Sequence, residues 1–343
     1  MDPIAALERV AYLQDRGLLP TQKTAAFLHA ADVLRALPAA ELDRRLAAGT
    51  LTELAGIGPS TAKVIVQAAA GRVPDRIVEL EETTRIPLRE GAGLRAALKG
   101  DCHTHSTWSD GGASIETMAR AAIALGHEWM VVTDHSPRLT IAHGLNRDRL
   151  LAQLDEIEAL NERLAPFRLL TGIEVDILAD GGLDQDEALL GQLDVVVASI
   201  HSKMSMPRRE MTERMVLAVA NPHVDILGHC TGRKVKGFGP DQRSVRAQSD
   251  FDPELVFAAC QQFDTAVEIN CRPERQDPPD ALLELALEWG CRISIDTDAH
   301  SPGHLEFLAY GADKAAAHEI DPGQIINTWS ADEVLAWTSE KVA

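Results

Sequence analysis

The sequence predicts a parallel α/β domain that closes toward a barrel, preceded by a small all-α domain. Three observations carry this. From Asp101 onward, seven short apolar runs alternate with helical stretches over about 240 residues. Six of the seven runs carry His, Asp or Glu at their last or next-to-last residue, and the seventh finishes on Asn270. Before Asp101 the apolar residues recur at helical spacing instead.

Length and composition set the frame for each element. The chain has 343 residues, 45% hydrophobic and 25% charged, enough for about two domains with proper cores. That composition excludes disordered, fibrous and disulfide-stapled classes. Five cysteines, an odd number, fit free thiols in a reducing compartment. The start of the chain lacks a basic stretch followed by an apolar one, and no window approaches the roughly 18 apolar residues of a membrane helix. A cytoplasmic protein without a membrane partner is expected. The net charge is −19, yet residues 1–99 carry +1, so the remainder carries −20. A surface that acidic repels nucleic acid at long range.

Residues 1–80 read as short helices, with apolar stripes through Ala25, Ala26, Leu28, Ala31, Val33 and Leu34 and then through Leu51, Leu54, Ile57, Val64 and Ile65. The second stripe contains Leu54-Ala55-Gly56-Ile57-Gly58-Pro59-Ser60-Thr61-Ala62-Lys63. Two glycines two apart, followed by a helix start, form a tight turn whose backbone N–H groups can hold a DNA phosphate without reading sequence. The string resembles the helix-hairpin-helix motif, with Ala55 where the motif usually carries proline. Gly56, Gly58, Ser60 and Lys63 are the expected DNA contacts. Residues 81–100, of mixed charge and with several glycines, are expected to be a linker ahead of residues 101–343.

The seven runs lead into residues 101–105, 129–135, 169–176, 195–202, 224–229, 266–270 and 293–300. In α/β barrels the side chains at strand C-terminal ends converge on one face, where active sites form. His103-Thr104-His105 puts two imidazoles on one side of an extended chain, and Asp298-Ala299-His300 does the same with a carboxylate and an imidazole. Asp110, His135, Glu174, His201 and His229 lie between them. Six histidines and three carboxylates make a nitrogen and oxygen donor set that suits Zn²⁺, Mn²⁺ or Fe²⁺. The other histidines (His29, His127, His143, His223, His304 and His318) are expected in structural roles. Cys102 and Cys230 adjoin ligands but point to the opposite strand face, and are expected to be buried small residues.

This ligand pattern, with Thr133-Asp134-His135, Ser199-Ile200-His201-Ser202, Gly228-His229 and Asp298-Ala299-His300-Ser301, resembles the PHP (polymerase and histidinol phosphatase) family. The strings Asn221 to His229 and Ser294 to Pro302 resemble the C-terminal PHP domain of bacterial family X DNA polymerases, and residues 1–80 resemble their N-terminal helix-hairpin-helix domain. Those polymerases carry fingers, palm and thumb between the two parts. Here a short linker stands there, so polymerisation is not expected. The position of the lyase lysine of some relatives is Val64 here, with Lys63 beside it.

The resemblance implies a distorted (β/α)₇ barrel with three divalent ions. The first ion would take His103, His105, Glu174 and Asp298. Glu174 would bridge to a second, held by His201 and His229. The third would take Asp110, His135 and His300. Such ions activate water and neutralise phosphoryl oxygens. Glu174, Asp298 and His300 are the residues expected nearest the chemistry, with Asp298 able to take a proton. Lys203, Arg233 and Arg275 follow strand ends and are the candidate phosphate ligands, Arg275 first. Three functions fit these residues: a phosphoesterase at DNA ends (3′-5′ exonuclease or 3′-phosphatase), a phosphatase of small phosphomonoesters such as histidinol phosphate or a nucleotide, and a metal-bearing scaffold without turnover. The intact ligand set speaks against the scaffold.

Overall fold

Asp2 opens the first helix, its carboxylate accepting the Ala5 N–H at 2.8 Å. Pro3 follows, at the position where a missing N–H costs nothing. The computed structural model describes residues 1–238 and 241–342. It divides into two units, Met1–Ile86 and Pro87–Ala343. The first is helical: α1 (Pro3–Arg16), α2 (Thr21–Ala36), α3 (Ala39–Ala48), α4 (Pro59–Ala69) and α5 (Asp75–Thr83). Its core joins Leu7, Val10 and Leu13 of α1 to Phe27, Ala31 and Leu34 of α2 and Val64 and Ile65 of α4. The stripe on α2 differs in phase from the sequence reading. Phe27, Ala30, Ala31 and Leu34 face inward, while Ala25, Ala26 and Leu28 face solvent. The larger Phe27 ring takes the interior because it removes more apolar surface from water.

Between α3 and α4 the chain turns through Gly49 (φ +69°) and Gly56 (φ +90°). A Cβ on Gly56 would stand 2.5 Å from His29 Nε2, so only glycine fits. Gly58 caps α4, and its N–H donates to Thr61 Oγ1 at 2.9 Å.

The second unit begins with α6 (Ala92–Ala97), a helix inside the stretch expected as linker; Arg89 N–H and Gly91 N–H both donate to Asp313 at 2.9 Å. Then come α7 (Ile115–Ala124), β1 (Trp129–Val132), α8 (Arg147–Leu164), β2 (Arg168–Asp176), α9 (Glu187–Leu190), β3 (Val195–Ser199), α10 (Arg208–Val219) and β4 (Ile226–Leu227). A ribbon β5 (Lys234–Lys236) and β6 (Arg243–Arg246) follows, then α11 (Pro253–Gln262), β7 (Ala266–Asn270), α12 (Asp280–Glu288), β8 (Ile293–Asp296), α13 (Leu308–Ala317) and α14 (Ala331–Val342).

Six strands form one parallel sheet in the order β1-β2-β3-β4-β7-β8. Residues 101–105 join its edges: Val131 N–H donates to Asp101 O at 2.9 Å, Thr133 N–H to Thr104 O at 2.8 Å, and His105 N–H to Ala299 O at 2.8 Å. This seventh stave was expected as a strand, but it forms a single bridge, Thr104 to Ala299. Side chains have taken three of its donors. Cys102 N–H goes to Asp296, His103 N–H to Asp101 and Thr104 N–H to Thr133. Local side-chain acceptors thus replace the ladder partners. The closed curl is a distorted (β/α)₇ barrel. Met130 and Val132 pack outward with Ile115, Met118 and Ile157, while Trp129 and Val131 fill the interior with Cys102, Leu170 and Val197. Val334 and Trp337 of α14 join that interior cluster. Among the described residues no helix is long and apolar enough to cross a membrane.

Candidate metal centre

Strand ends deliver the polar side chains to one place. His103 and His105 come from the seventh stave, and Asp110 from the loop after it. His135 stands three residues beyond β1, Glu174 lies inside the last turn of pleat of β2, and His201 and His229 stand two residues beyond β3 and β4. Asp298 and His300 follow β8, Asp298 in a left-handed backbone (φ +51°) that Asp tolerates better than most residues.

Glu174 is the hub. Its Oε1 lies 2.8 Å from His229 Nε2 and 3.2 Å from His201 Nε2. Its Oε2 lies 2.8 Å from His135 Nδ1, 3.4 Å from His103 Nε2 and 3.6 Å from His105 Nε2. His105 Nε2 also reaches Asp298 Oδ1 at 3.3 Å, and Asp110 Oδ1 stands 3.4 and 3.5 Å from Nε2 of His300 and His135. All nine expected ligands therefore meet, in four overlapping groups whose donor atoms lie within 4.8 Å of one another. The groups are His105, Asp110, His135 and His300; His103, His105 and Asp298; His103, Glu174 and His229; and His135, Glu174 and His201. His201 and His229 share one oxygen of Glu174, while His103 and His105 face the other.

Burial alone would raise the Glu174 carboxyl, but His201, His103 and His135 hold it well below the usual carboxylate range. Asp298 is likewise pushed up by burial and held down by Arg275, His103 and Arg272. Burial and Arg275 lower His229 to about 4, whereas Glu174 and Asp176 overcome burial and lift His201 to about 9. A test of whether metal ions fit comes from the imidazoles. His105 Nδ1 and His229 Nδ1 are buried without a partner, while His103 Nε2, His105 Nε2, His135 Nδ1 and both nitrogens of His201 are buried facing carboxylate oxygens without forming hydrogen bonds. Orphaned buried nitrogens are costly. Grouped with three carboxylates, they are donors of the kind divalent cations take.

Of the expected phosphate ligands, Arg275 is at the centre, Nε to Asp298 Oδ2 at 3.0 Å. Arg233 stands beside the loop of Arg275. Its Nε donates to Arg275 O at 3.1 Å and its Nη2 to Gln276 O, so it braces the loop that carries Arg275. Lys203 lies exposed two residues beyond His201, and the structure gives its side chain no contact with the centre. In the helical unit, Ser60 is exposed at the start of α4 and Lys63 pairs with Asp75 at 3.0 Å.

Two residues in contact with the centre escaped the sequence reading. Glu268 in β7 lies beneath the centre, Oε1 at 2.6 Å from His103 Nδ1, with Oε2 accepting the His229 N–H. Arg272 Nη1 stands 2.8 Å from His300 Nδ1. The signal for Glu268 was an ionisable residue in an apolar run, two before Asn270 and so on the same face. Asn270 itself donates to Asp298 Oδ2 at 3.1 Å.

A model of the PHP domain matches residues 101–247. The DNA polymerase/3′-5′ exonuclease PolX of Bacillus subtilis (strain 168) is 39% identical over 240 residues, covering 70% of this chain; the chain spans 41% of that relative's length. A probable phosphatase of Acetivibrio thermocellus is 35% identical over 209 residues, covering 58% of this chain and 78% of that protein. A probable phosphatase of Thermoanaerobacter sp. (strain X514) is 30% identical over 213 residues, with the same coverage. Among solved structures, the histidinol phosphate phosphatase of Lactococcus lactis, complexed with zinc, L-histidinol and phosphate, is 19% identical with a TM-score of 0.45, covering 65% of this chain and 93% of that one. With the strand-end ligands in place and the two probable phosphatases covered over 78% of their length, the chain belongs to the PHP family of phosphate-ester hydrolases.

Proposed function

We propose that this hydrolase works at the ends of DNA, as a 3′-5′ exonuclease or 3′-phosphatase, with three divalent ions held by the nine ligands. Residues 1–80 serve as a helix-hairpin-helix domain that grips the backbone without reading sequence. The observation that carries the reading is Glu174, one buried carboxylate with His201 and His229 on one oxygen and His103, His105 and His135 on the other. When bound there, Zn²⁺, Mn²⁺ or Fe²⁺ supplies Lewis acidity, lowering the pKa of water and offsetting charge on phosphoryl oxygens.

The chain's own groups do the rest. Arg275, anchored through Nε to Asp298, presents its guanidinium to a phosphoryl oxygen, where a planar fork binds bidentately. Asp298 sits between Arg275 and His105, placed to take a proton from the attacking water. Arg272 orients His300 from behind. DNA as substrate is supported by the 39% identity to the Bacillus polymerase/exonuclease and by the Gly56 to Lys63 turn at the start of α4. A second reading, a phosphatase of small phosphomonoesters, is favoured by the −20 charge of residues 100–343.

The test compares a 3′-labelled duplex with a recessed end against a panel of small phosphomonoesters, using Mn²⁺-loaded protein. His103→Ala with His105→Ala is the control, and removal of Met1–Ile86 is run alongside. Trimming of DNA that weakens on removal of that unit, with small-ester turnover spared, supports the DNA reading. Turnover of small esters alone, unaffected by the removal, defeats it in favour of the second.

A further inference from the structure

The ribbon β5–β6 runs against the charge of the domain around it. It carries Lys234, Lys236, Arg243 and Arg246, all exposed, in a part of the chain with a net charge of −20. Elsewhere on this unit arginines are paired: Arg120 and Arg163 with Glu116, Arg168 with Asp332, Arg209 with Glu213. The four ribbon cations are not so paired: Glu274 acts on Lys234 and Asp277 on Arg246 only at a distance, and Arg246 Nε donates to the Gly232 carbonyl at 2.8 Å.

The register then stacks like charge on like. Lys236 pairs with Arg243 and Lys234 with Arg246, with a bulge between Lys234 and Val235. Without that extra residue Val245, not Arg246, would oppose Lys234. The bulge therefore brings all four cations to one face, while Val235 is buried on the other. Like charges directly opposite one another destabilise a ribbon. Such a cost is repaid when a polyanion lies across the face.

The ribbon is fastened to the loop that carries Arg272 and Arg275 into the metal centre. Val235 N–H donates to Glu274 O at 2.8 Å, and Gln276 Nε2 donates to Gly237 O at 3.0 Å. Burial, then Arg275, Arg246 and Arg272, depress Lys234 against an opposing pull from Glu274, so the ribbon cations stand near the arginines of that loop. At the end of β5, Phe238 is half exposed and stacks on Tyr310 with centroids 5.1 Å apart. A cationic track with an aromatic platform is the chemistry that holds single-stranded nucleic acid.

We propose that the β5–β6 ribbon is the track along which the phosphodiester backbone of a single strand approaches the metal centre, with Phe238 as a stacking surface for a base. The proposal rests on the DNA-end reading above and adds how a strand is held beyond the phosphate being cleaved. It also explains how so acidic a domain receives a polyanion.

The test uses the full chain loaded with Mn²⁺ and a fluorescein-labelled oligo-dT of about 12 nucleotides, within the span such grooves accommodate. Its linkages are phosphorothioates that resist hydrolysis, and binding is followed by anisotropy at several salt concentrations. Each phosphate contact to a single strand contributes about 0.7 to the slope of log K against log salt. The set Lys234→Gln, Lys236→Gln, Arg243→Gln and Arg246→Gln should therefore lower the slope by about 3 and weaken binding tenfold or more. Phe238→Ala should weaken binding about fivefold with the slope unchanged. Exchanging Lys for Arg and Arg for Lys at the four positions should keep the slope. A slope unmoved by the glutamine set overturns the proposal. So does an equal loss in the charge-conserving set, which would mean damage to the fold, or displacement of the oligonucleotide by polyglutamate as readily as by unlabelled oligo-dT. Cleavage of an unmodified strand by the unaltered chain is scored separately. Ribbon-dependent binding without cleavage removes the DNA-end reaction and leaves the track standing.

Discussion

Nδ1 of His103 lies 2.6 Å from Oε1 of Glu268, and both side chains are completely buried. A carboxylate accepting from Nδ1 fixes the imidazole tautomer and turns the Nε2 lone pair toward Glu174, where that nitrogen has no hydrogen-bond partner. In the proposed metal centre Glu268 is thus a positioning residue for His103. Glu268→Gln should weaken metal affinity about 10- to 100-fold, as losses of such outer partners do. Calorimetric titration of the metal-free protein with Zn²⁺ or Mn²⁺ measures it, and an unchanged affinity would remove this role.

Metal should also stabilise the fold. Ligands that bind only the native state contribute about 2.7 kcal/mol at a hundredfold excess over Kd. In a unit of this size that corresponds to about 5–10 °C in Tm. Scanning calorimetry with and without a chelator should show that shift, and Glu174→Gln should abolish most of it.

Arg275→Ala removes a guanidinium from Asp298 and from the approach of a phosphoryl oxygen. Charged hydrogen bonds of this kind contribute about 1.5–3 kcal/mol, so kcat/KM should fall about 10- to 100-fold. Arg233→Ala, whose guanidinium braces the same loop from carbonyl oxygens, should lower activity less and lower stability more.

Gly56→Ala places a methyl on the His29 ring in a left-handed backbone. Strain and overpacking together predict a loss of about 2–4 kcal/mol in the helical unit. Gly58→Ala, with open space around its Cβ position, should cost far less. Urea denaturation of the two variants checks the ordering; equal losses would contradict it.

His127 is buried beside Arg95, and burial with that cation lowers its pKa to about 3. Below the ordinary value of 6.5 the unfolded chain binds a proton that the folded chain does not. Neutral His127 therefore contributes stability that is present above pH 6.5 and lost as pH falls toward 3, at about 1.4 kcal/mol per unit. Stability of His127→Gln should fall less steeply by that amount between pH 6 and 4, measured by denaturant midpoints. Parallel pH profiles for the two proteins would refute it.

The sequence by itself determined the alternation of strand and helix and the identity of the polar residues that end each strand. Both are local: strand period and residue type are written in neighbouring positions, and parallel strands must all present their C-terminal ends to one face. Tertiary structure alone decided what those residues meet. The stave at residues 101–105 was legible as extended chain but not as a stave held largely by side-chain acceptors, because Asp296 and Thr133 arrive from other strands. That the Arg233 guanidinium reaches the carbonyl of Arg275 depends on a loop 42 residues further along the chain. Glu268 and Arg272 gained meaning only when β7 and its loop closed beneath His103 and beside His300. The like-charged register of β5 and β6 depended on one bulge that no local pattern announces. A strand's faces are set by its own alternation, but its neighbours are set by closure of the whole sheet, which joins residues nearly two hundred positions apart.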